Sequence, residues 1–178
     1  MVYNLTADDI VFLDDFVTRI EAFKVQVDAH NEAHRNGHKS FTNGHSKYYR
    51  RLGLGAELAF ARLFDLPFND YIGITGDGGV DFTLPNSLTI QIKCRGKRNQ
   101  NFAVMPDLVD FKADIGVLMW PVTPEIRPVT AFEVAGWVSR VSFFQLAIRG
   151  NFRGERLYVP HVKMHDPALL KQIANANP

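Results

Sequence analysis

Three polar residues near the middle of the chain have the side-chain types and the spacing of a small metal site. Asp81 lies in a short run whose alternate residues are apolar, and Gln91 and Lys93 lie in a second such run, after a turn of proline, asparagine and serine. This pattern predicts an antiparallel hairpin. If Leu84 lies opposite Leu88, then Asp81 lies opposite Gln91, and Lys93 is one step further along that face. A carboxylate, an amide oxygen and an ammonium group would converge there, as in a metal site with a lysine beside it. The alternative is an ordinary hairpin with one polar, half-solvated face.

The helix predicted over 46–64, which ends before Pro67, adds a second carboxylate. Glu57 lies in the middle of the apolar arc of this helix, and the arc is formed by Leu54, Leu58, Phe60, Ala61 and Phe64. Because an unpaired carboxylate is costly to bury, we expect Glu57 to have a cationic partner, either a metal ion or a lysine. The alternative is that the arc is only moderately buried and that Glu57 reaches its rim.

Two further groups of polar residues have weaker metal-site patterns. His30, His34 and His38 are spaced by four, a spacing that a zinc site can use on a helix. Gly37 interrupts that helix, however, and the His-Glu-x-x-His motif of metalloproteases is not there, so we favour a solvated or phosphate-facing surface. Asp77 lies in a glycine-rich turn, where a turn residue is favoured over a metal ligand.

The basic residues are clustered, although the net charge of the chain is only +1. Arg95, Lys97 and Arg98 directly follow the predicted metal-site strand, and Arg50 and Arg51 belong to a second basic stretch that contains no acid. Local basic patches bind phosphates even when the total charge is near zero. We therefore expect the first three to contact nucleic-acid phosphates, with Arg50 and Arg51 as a weaker second set.

Length and composition predict one soluble domain. The chain has 178 residues, of which 46% are hydrophobic and 22% are charged, so it can bury one core and does not have the composition of a disordered protein. The single cysteine, Cys94, excludes an intrachain disulfide framework and suits a reducing compartment. No signal-peptide pattern and no apolar run of membrane-spanning length occurs. These features predict a cytoplasmic protein with no membrane partner.

The remaining elements are predicted from periodicity and turn residues. A first helix is capped near Thr6 and runs to about His34. Strands are expected within 71–74, 113–120 and 130–138, and 113–120 is so apolar that it should be buried on both faces. An edge element at 157–160 and short helices after Arg140 and Pro167 complete the prediction.

The order of the candidate residues resembles a known family. Glu57 on a helix, the Gly-Val-Asp-Phe run at 79–82 and the Gln-Ile-Lys run at 91–93 resemble the motifs of the PD-(D/E)xK nuclease superfamily, whose members share the restriction-endonuclease-like fold. The resemblance covers about residues 54–95 and is looser through 115–120 and around 136–137. Gly79-Val80 replaces the nominal proline before Asp81. Gln91 replaces an aspartate or glutamate, which removes a negative charge, and Mrr-like members look similar in having Gln-x-Lys.

The resemblance implies a role for each site residue. Asp81 and Gln91 would be metal ligands, the carbonyl of Ile92 would add a backbone ligand, and Glu57 would be the acidic residue of the first core helix. Lys93 would be the catalytic lysine. The implied cofactor is Mg²⁺, for which Mn²⁺ would substitute.

The resemblance also implies the architecture. We expect an α/β fold with a restriction-endonuclease-like core, in which helices flank a central mixed β-sheet, and with an extra N-terminal helix. A single domain, 1–178, would consist of an N-terminal helical extension (1–45), a catalytic core (46–140) and a C-terminal cap (141–178).

These implications predict a metal-dependent endonuclease that hydrolyses phosphodiester bonds, with DNA favoured over RNA as its partner and with homodimer formation considered. The small size suggests a stand-alone enzyme from a phage or mobile element. One alternative is a non-catalytic nucleic-acid-binding or assembly module that keeps the nuclease fold. The other is a metal-independent α/β interaction domain whose hairpin face is only solvated. Mg²⁺-dependent cleavage and specific Mn²⁺ binding separate the three.

Overall fold

Two β-sheets and four α-helices make up the part of the chain that the computed structural model describes, which is residues 1–34, 44–72, 79–104, 111–151 and 155–176. Of residues 27–34, 44–46 and 151 it describes the backbone. The helices are α1 (Ala7–His34), α2 (Gly44–Phe64), α3 (Arg140–Leu146) and α4 (Pro167–Ala174). The strands are β1 (Val2–Asn4), β2 (Phe82–Thr83), β3 (Thr89–Cys94), β4 (Phe102–Val104), β5 (Ile115–Pro121), β6 (Ala131–Ser139), β7 (Ile148–Asn151) and β8 (Glu155–Val159).

The central sheet has the strand order β1-β6-β5-β3-β2. β3 and β5 are parallel and the other neighbours are antiparallel, so the sheet is mixed. Every residue of β5 is buried, because β5 lies between β3 and β6 and both faces of the sheet are covered. The predicted α/β class is confirmed, and so are the fully buried strand and the hairpin.

The N-terminal residues are part of the central core, although they were predicted as an extension. Thr6 and Asp9 form a reciprocal capping box: the Asp9 N–H donates to Thr6 Oγ1 at 3.1 Å, and the Thr6 N–H donates to Asp9 Oδ2 at 3.1 Å. Burial raises the pKa of Asp9, but hydrogen bonds from Arg62, Thr6 and Tyr3 outweigh that effect and hold the pKa below its usual value. α1 buries Leu13, Phe16 and Val17. β1, which was not predicted, pairs with β6.

α2 lies against the face of the central sheet that carries Ile90, Ile92 and Val117. Its middle turns are tightly packed, and Ala56, Leu58, Ala59, Phe60 and Ala61 are all fully buried. The predicted apolar arc is therefore confirmed as a core-facing surface.

A second sheet covers the opposite face, and this feature was not predicted. It has the order β4-β8-β7 and contributes Phe102, Val104 and Val159 to a second core with Leu118 and Phe143. The prediction of an edge element at 157–160 was wrong, because β8 is the middle strand and pairs with a neighbour on each side. Residues 141–178 therefore supply two strands of this sheet, and α4 packs on the central sheet.

Tyr71 and Ile72 are not in a strand, contrary to the strand predicted at 71–74, whose other residues lie outside the described ones. The side chains of the predicted histidine group, and Asp77, also lie outside the described residues.

Candidate functional site

The hairpin that carries the candidate residues has the predicted register from Phe82 to Ile90, but the predicted pairing of Asp81 with Gln91 is not part of the ladder. Phe82 pairs with Ile90, and the Leu84 N–H donates to the Leu88 carbonyl at 2.8 Å. In an unbroken ladder, the N–H of Asp81 would point away from β3. Here it donates to the Ile90 carbonyl at 2.8 Å, so the pairing departs from the regular ladder at Asp81. This local irregularity places the Asp81 side chain at the edge of β3.

The Asp81 carboxylate lies at the edge of β3 that faces β2. Its Oδ2 accepts a hydrogen bond from the Ile92 N–H at 2.5 Å. The N–H and C=O of one strand residue point to the same side of the strand, so the Ile92 carbonyl points to this edge as well. The carboxylate and the backbone carbonyl that were predicted as metal ligands are thus neighbours.

Gln91 is buried, with 3% of its surface exposed. The alternation of polar and apolar residues along its strand predicts an exposed strand face for Gln91, and this prediction is wrong, because the second sheet covers that face. Gln91 lies beside Gly116 of β5, and the Phe102 ring of β4 packs so closely there that a methyl group added at Gly116 would lie 2.4 Å from its Cζ. Gln91 Oε1 is buried and accepts no hydrogen bond from the described residues. Such an oxygen costs about 1–3 kcal/mol unless something donates to it or binds it.

Lys93 is on the same face as Gln91 and beside Leu118 of β5. Its side chain is half-exposed and forms no ion pair with the described part of the chain. An ammonium group in this position can interact with a bound anion.

Glu57 approaches β3 from the other side, through α2. The pKa of the Cys94 thiol is raised to about 12, first by burial and then by the negative charge of Glu57. Cys94 alternates with Lys93 along β3, so its side chain points to the α2 face. This places Glu57 near the carboxyl end of β3, and its contact with the Asp81 site stays a prediction.

The donor atoms predicted as metal ligands suit a hard cation. Within the described ranges, no three His, Cys, Asp or Glu side chains are grouped closely enough to hold a metal. The candidate set instead combines the Asp81 carboxylate, the Gln91 amide oxygen and the Ile92 carbonyl. Oxygen donors of these kinds are those that Mg²⁺ prefers, and Mg²⁺ completes its octahedron with water and substrate oxygens. The orphaned Gln91 oxygen is the feature of this structure that fits such an ion.

A cleft of about 1200 Å³ opens where β3 ends. Its walls come from the start of α2, the segment 94–103, the loop at 124–127 and β8. The lining includes four basic side chains and three tyrosines, which are Arg95, Lys97, Arg127, Arg156, Tyr48, Tyr49 and Tyr158.

The predicted phosphate-binding residues divide between this cleft and other surfaces. Lys97 is exposed at the cleft. Arg95 also lines it, but its guanidinium donates to the carbonyls of Asn101 (3.2 Å) and Ala103 (2.9 Å) and holds the loop after β3. Arg98 pairs instead with Glu133 of β6 at 2.9 Å.

Arg50 and Arg51 were predicted as a second set of phosphate contacts, but they join α2 to α1. Arg50 pairs with Glu21, and Arg51 pairs with Asp14 at 2.6 Å and donates to the Val129 carbonyl at 3.0 Å. The acidic face of α1 neutralises them, so we assign them a structural role.

Sequence reasoning missed Arg127, Arg156 and the tyrosines of the cleft. They come from segments far apart in the chain, and although Arg156 belongs to a basic stretch over 140–163, that stretch is equally typical of a solvated surface. The one local signal was the Tyr48-Tyr49 pair directly before Arg50, where aromatic and basic residues adjoin.

Comparison of the chain with protein-family models, with curated proteins and with solved structures finds no match. Among the described residues, no helix is both long enough and apolar enough to cross a bilayer. Functional assignment therefore depends on the residues and the geometry above.

Proposed function

We propose that this chain is a Mg²⁺-dependent nuclease that hydrolyses phosphodiester bonds of DNA. The observations that carry the proposal lie on β3: the Asp81 carboxylate accepts a hydrogen bond from the Ile92 N–H, and the neighbouring residue, Gln91, has a buried amide oxygen that accepts no hydrogen bond from the described residues. Lys93 follows Gln91 on the same face. The order of Glu57, Asp81, Gln91 and Lys93 is the one that resembles the PD-(D/E)xK superfamily.

The chain's own groups would divide the work. Asp81, Gln91 Oε1 and the Ile92 carbonyl would hold the metal, with Glu57 adding its charge from α2. A bound Mg²⁺ supplies Lewis-acid stabilisation of charge on a phosphate and a lowered pKa for bound water. The Lys93 ammonium would donate a hydrogen bond to a phosphate oxygen whose negative charge grows during the reaction.

The cleft supports nucleic acid as the substrate. It adjoins the end of β3 and presents Lys97, Arg127 and Arg156 to a polyanion. DNA is favoured over RNA on the resemblance alone. We also propose a cytoplasmic location, since the free thiol of Cys94 suits a reducing compartment, and a homodimer as the assembly to be tested.

A second candidate is a nucleic-acid-binding or assembly module that does not cleave. The observation that favours it is the neutral Gln91, which leaves the donor set with fewer negative charges than a pair of carboxylates would provide. The cleft would serve such a module equally well.

Cleavage assays with matched variants distinguish the two. The purified protein is incubated with linear, circular, branched and single-stranded DNA in Mg²⁺, Mn²⁺ or EDTA. We expect metal-dependent cleavage that Lys93→Ala lowers by about 10²–10³-fold, the loss typical for one transition-state donor. Lys171→Ala, which removes an exposed lysine of α4, is the matched control and should cleave normally.

Two results would decide against the nuclease. Wild-type cleavage by Lys93→Ala would make the lysine a bystander. Binding of DNA with no cleavage in either metal would favour the module.

A further inference from the structure

The cleft at the end of β3 contains flat aromatic surfaces as well as positive charge. The rings of Tyr48 and Tyr49 meet edge to face, with centroids 5.3 Å apart and an interplanar angle of 69°. The guanidinium carbon of Arg127 lies 4.1 Å from the centre of the Tyr48 ring. Tyr49 remains 52% exposed. The two tyrosine rings, set at a steep angle, and the guanidinium over Tyr48 thus form a corner of planar groups. The exposed ring of Tyr49 is the part of this corner that a planar ligand can contact.

The charge in the cleft is unbalanced. Arg95, Lys97, Arg127 and Arg156 line it, and Glu125 is the one carboxylate among its described lining residues. The pKa of Arg95 is lowered, first by burial and then by the neighbouring positive charge of Arg156. Guanidinium groups that repel each other in this way are stabilised when an anion binds between or beside them.

Aromatic platforms and cations together suit one class of ligand. Single-stranded nucleic acids bind by stacking successive bases on aromatic side chains while basic residues follow the phosphates. In a duplex, the faces of the bases are covered by their neighbours, so a corner of tyrosines and a stacked arginine would be of little use to it. The cleft also begins at Cys94, directly after Lys93.

We propose that this cleft binds an unpaired strand of nucleic acid, with bases stacked on Tyr49 and on the Arg127 guanidinium that Tyr48 supports, and with phosphates held by Lys97 and Arg156. In one respect the proposal rests on the proposed nuclease function: it takes the bound strand to be the substrate and Asp81 and Lys93 to be the site where that strand is cleaved. It deepens that function, because the enzyme would then require single-stranded or frayed DNA and would spare intact duplex.

Binding is measured in EDTA, so that the result does not depend on a metal or on cleavage. Fluorescence anisotropy follows a labelled oligothymidylate, an oligouridylate and a duplex of equal length. We expect at least one of the two single strands to bind about tenfold or more tightly than the duplex. Equal or tighter binding of the duplex would overturn the proposal.

Tyr49 gives a matched pair of variants. Tyr49→Leu removes the ring and should weaken binding of the preferred strand by about 5- to 150-fold, the range for one base–aromatic stack. Tyr49→Phe keeps the ring and should bind like the wild type. Equal losses in the two variants, or no loss in Tyr49→Leu, would contradict stacking at this position.

The cations are tested separately through salt dependence. Lys97 lies on an exposed loop, so Lys97→Ala should not impair folding. The substitution should reduce the slope of log affinity against log salt concentration by about 0.7, the value for one phosphate contact on a single strand. Lys171→Ala should leave the slope unchanged. A slope unchanged by Lys97→Ala would remove Lys97 from the cleft's phosphate contacts and contradict the proposed path.

The two proposals fail differently. Tight binding of single strands without metal-dependent cleavage overturns the nuclease and leaves the cleft in place. Metal-dependent cleavage with a preference for duplex overturns the cleft and leaves the nuclease in place.

Discussion

Replacing Gln91 by methionine tests whether the buried amide oxygen is kept for a metal. The amide is 3% exposed, and its Oε1 accepts no hydrogen bond from the described residues. A buried polar group without a partner costs about 1–3 kcal/mol, and methionine is an unbranched apolar side chain of similar length. In EDTA, we therefore expect Gln91→Met to be as stable as the wild type or more stable by about 1–2 kcal/mol. For a chain of this size that is a rise in Tm of about 2–8 °C.

Binding of a metal ion should reverse the order of stability of the wild type and Gln91→Met. A ligand at a hundred times its Kd stabilises the folded state by about 2.7 kcal/mol, which corresponds to about 5–11 °C in Tm. The wild type should show such a rise in Mg²⁺ or Mn²⁺, and Gln91→Met should lose most of it. Gln91→Glu should do the opposite, because a carboxylate buried at this position is costly in EDTA but adds a negative charge to the metal site.

Thermal melts across a titration of Mg²⁺ and of Mn²⁺, each started from EDTA, measure all of these effects. Gln145→Met, at an exposed position of α3, is the control for the substitution itself. A loss of more than about 2 kcal/mol in Gln91→Met in EDTA would mean that the amide is part of a satisfied hydrogen-bond network. A full metal response in Gln91→Met would remove Gln91 from the ligand set.

Two further predictions concern the elements that hold the site. In α2, Gly53→Ala should stabilise the protein by about 0.5–1 kcal/mol, because nothing lies within 4 Å of the added methyl group. Gly55→Ala should destabilise the protein by about 1–3 kcal/mol, because the added methyl group would lie 2.8 Å from Cζ of Phe132. Equal effects of Gly53→Ala and Gly55→Ala on the free energy of unfolding in urea would contradict this packing. In α1, the lowered pKa of Asp9 contributes stability that is present above the unfolded value of about 3.9 and is lost as the pH falls through the folded value. Asp9→Asn should therefore lower the Tm at pH 7, and its Tm should decrease less than that of the wild type as the pH is lowered. Parallel plots of Tm against pH for the two proteins would show that Asp9 contributes nothing to the acid transition.

Features encoded by neighbouring residues could be predicted. The hairpin follows from alternation on both sides of a turn, the cap of α1 from Thr6 and Asp9, and the doubly buried strand from the apolar run in β5. The types of side chain at the candidate site follow from the same local patterns. Each of these features depends either on contacts between residues that are close in the sequence or on the apolar composition of a short segment.

The burial of Gln91 and the shape of the cleft could not be predicted. Both depend on the second sheet, in which Phe102 pairs with Val159 across a long stretch of chain. The pairing of Arg50 with α1 likewise required knowledge of which helices touch. A basic residue looks the same in the sequence whether it meets a phosphate or a carboxylate, so the partner is decided by tertiary packing.

Because β1 pairs with β6, the central sheet cannot be completed until β6 has been synthesised. Val2 pairs with Glu133, so β1 must wait for a partner that is synthesised roughly 130 residues later. At about 5–20 residues per second, the delay is on the order of ten seconds. During that time Leu13 and Val17 of α1 lack the strand residues of the core in which they become buried. The nascent chain should therefore be a client of ribosome-associated chaperones until β6 emerges and the sheet closes.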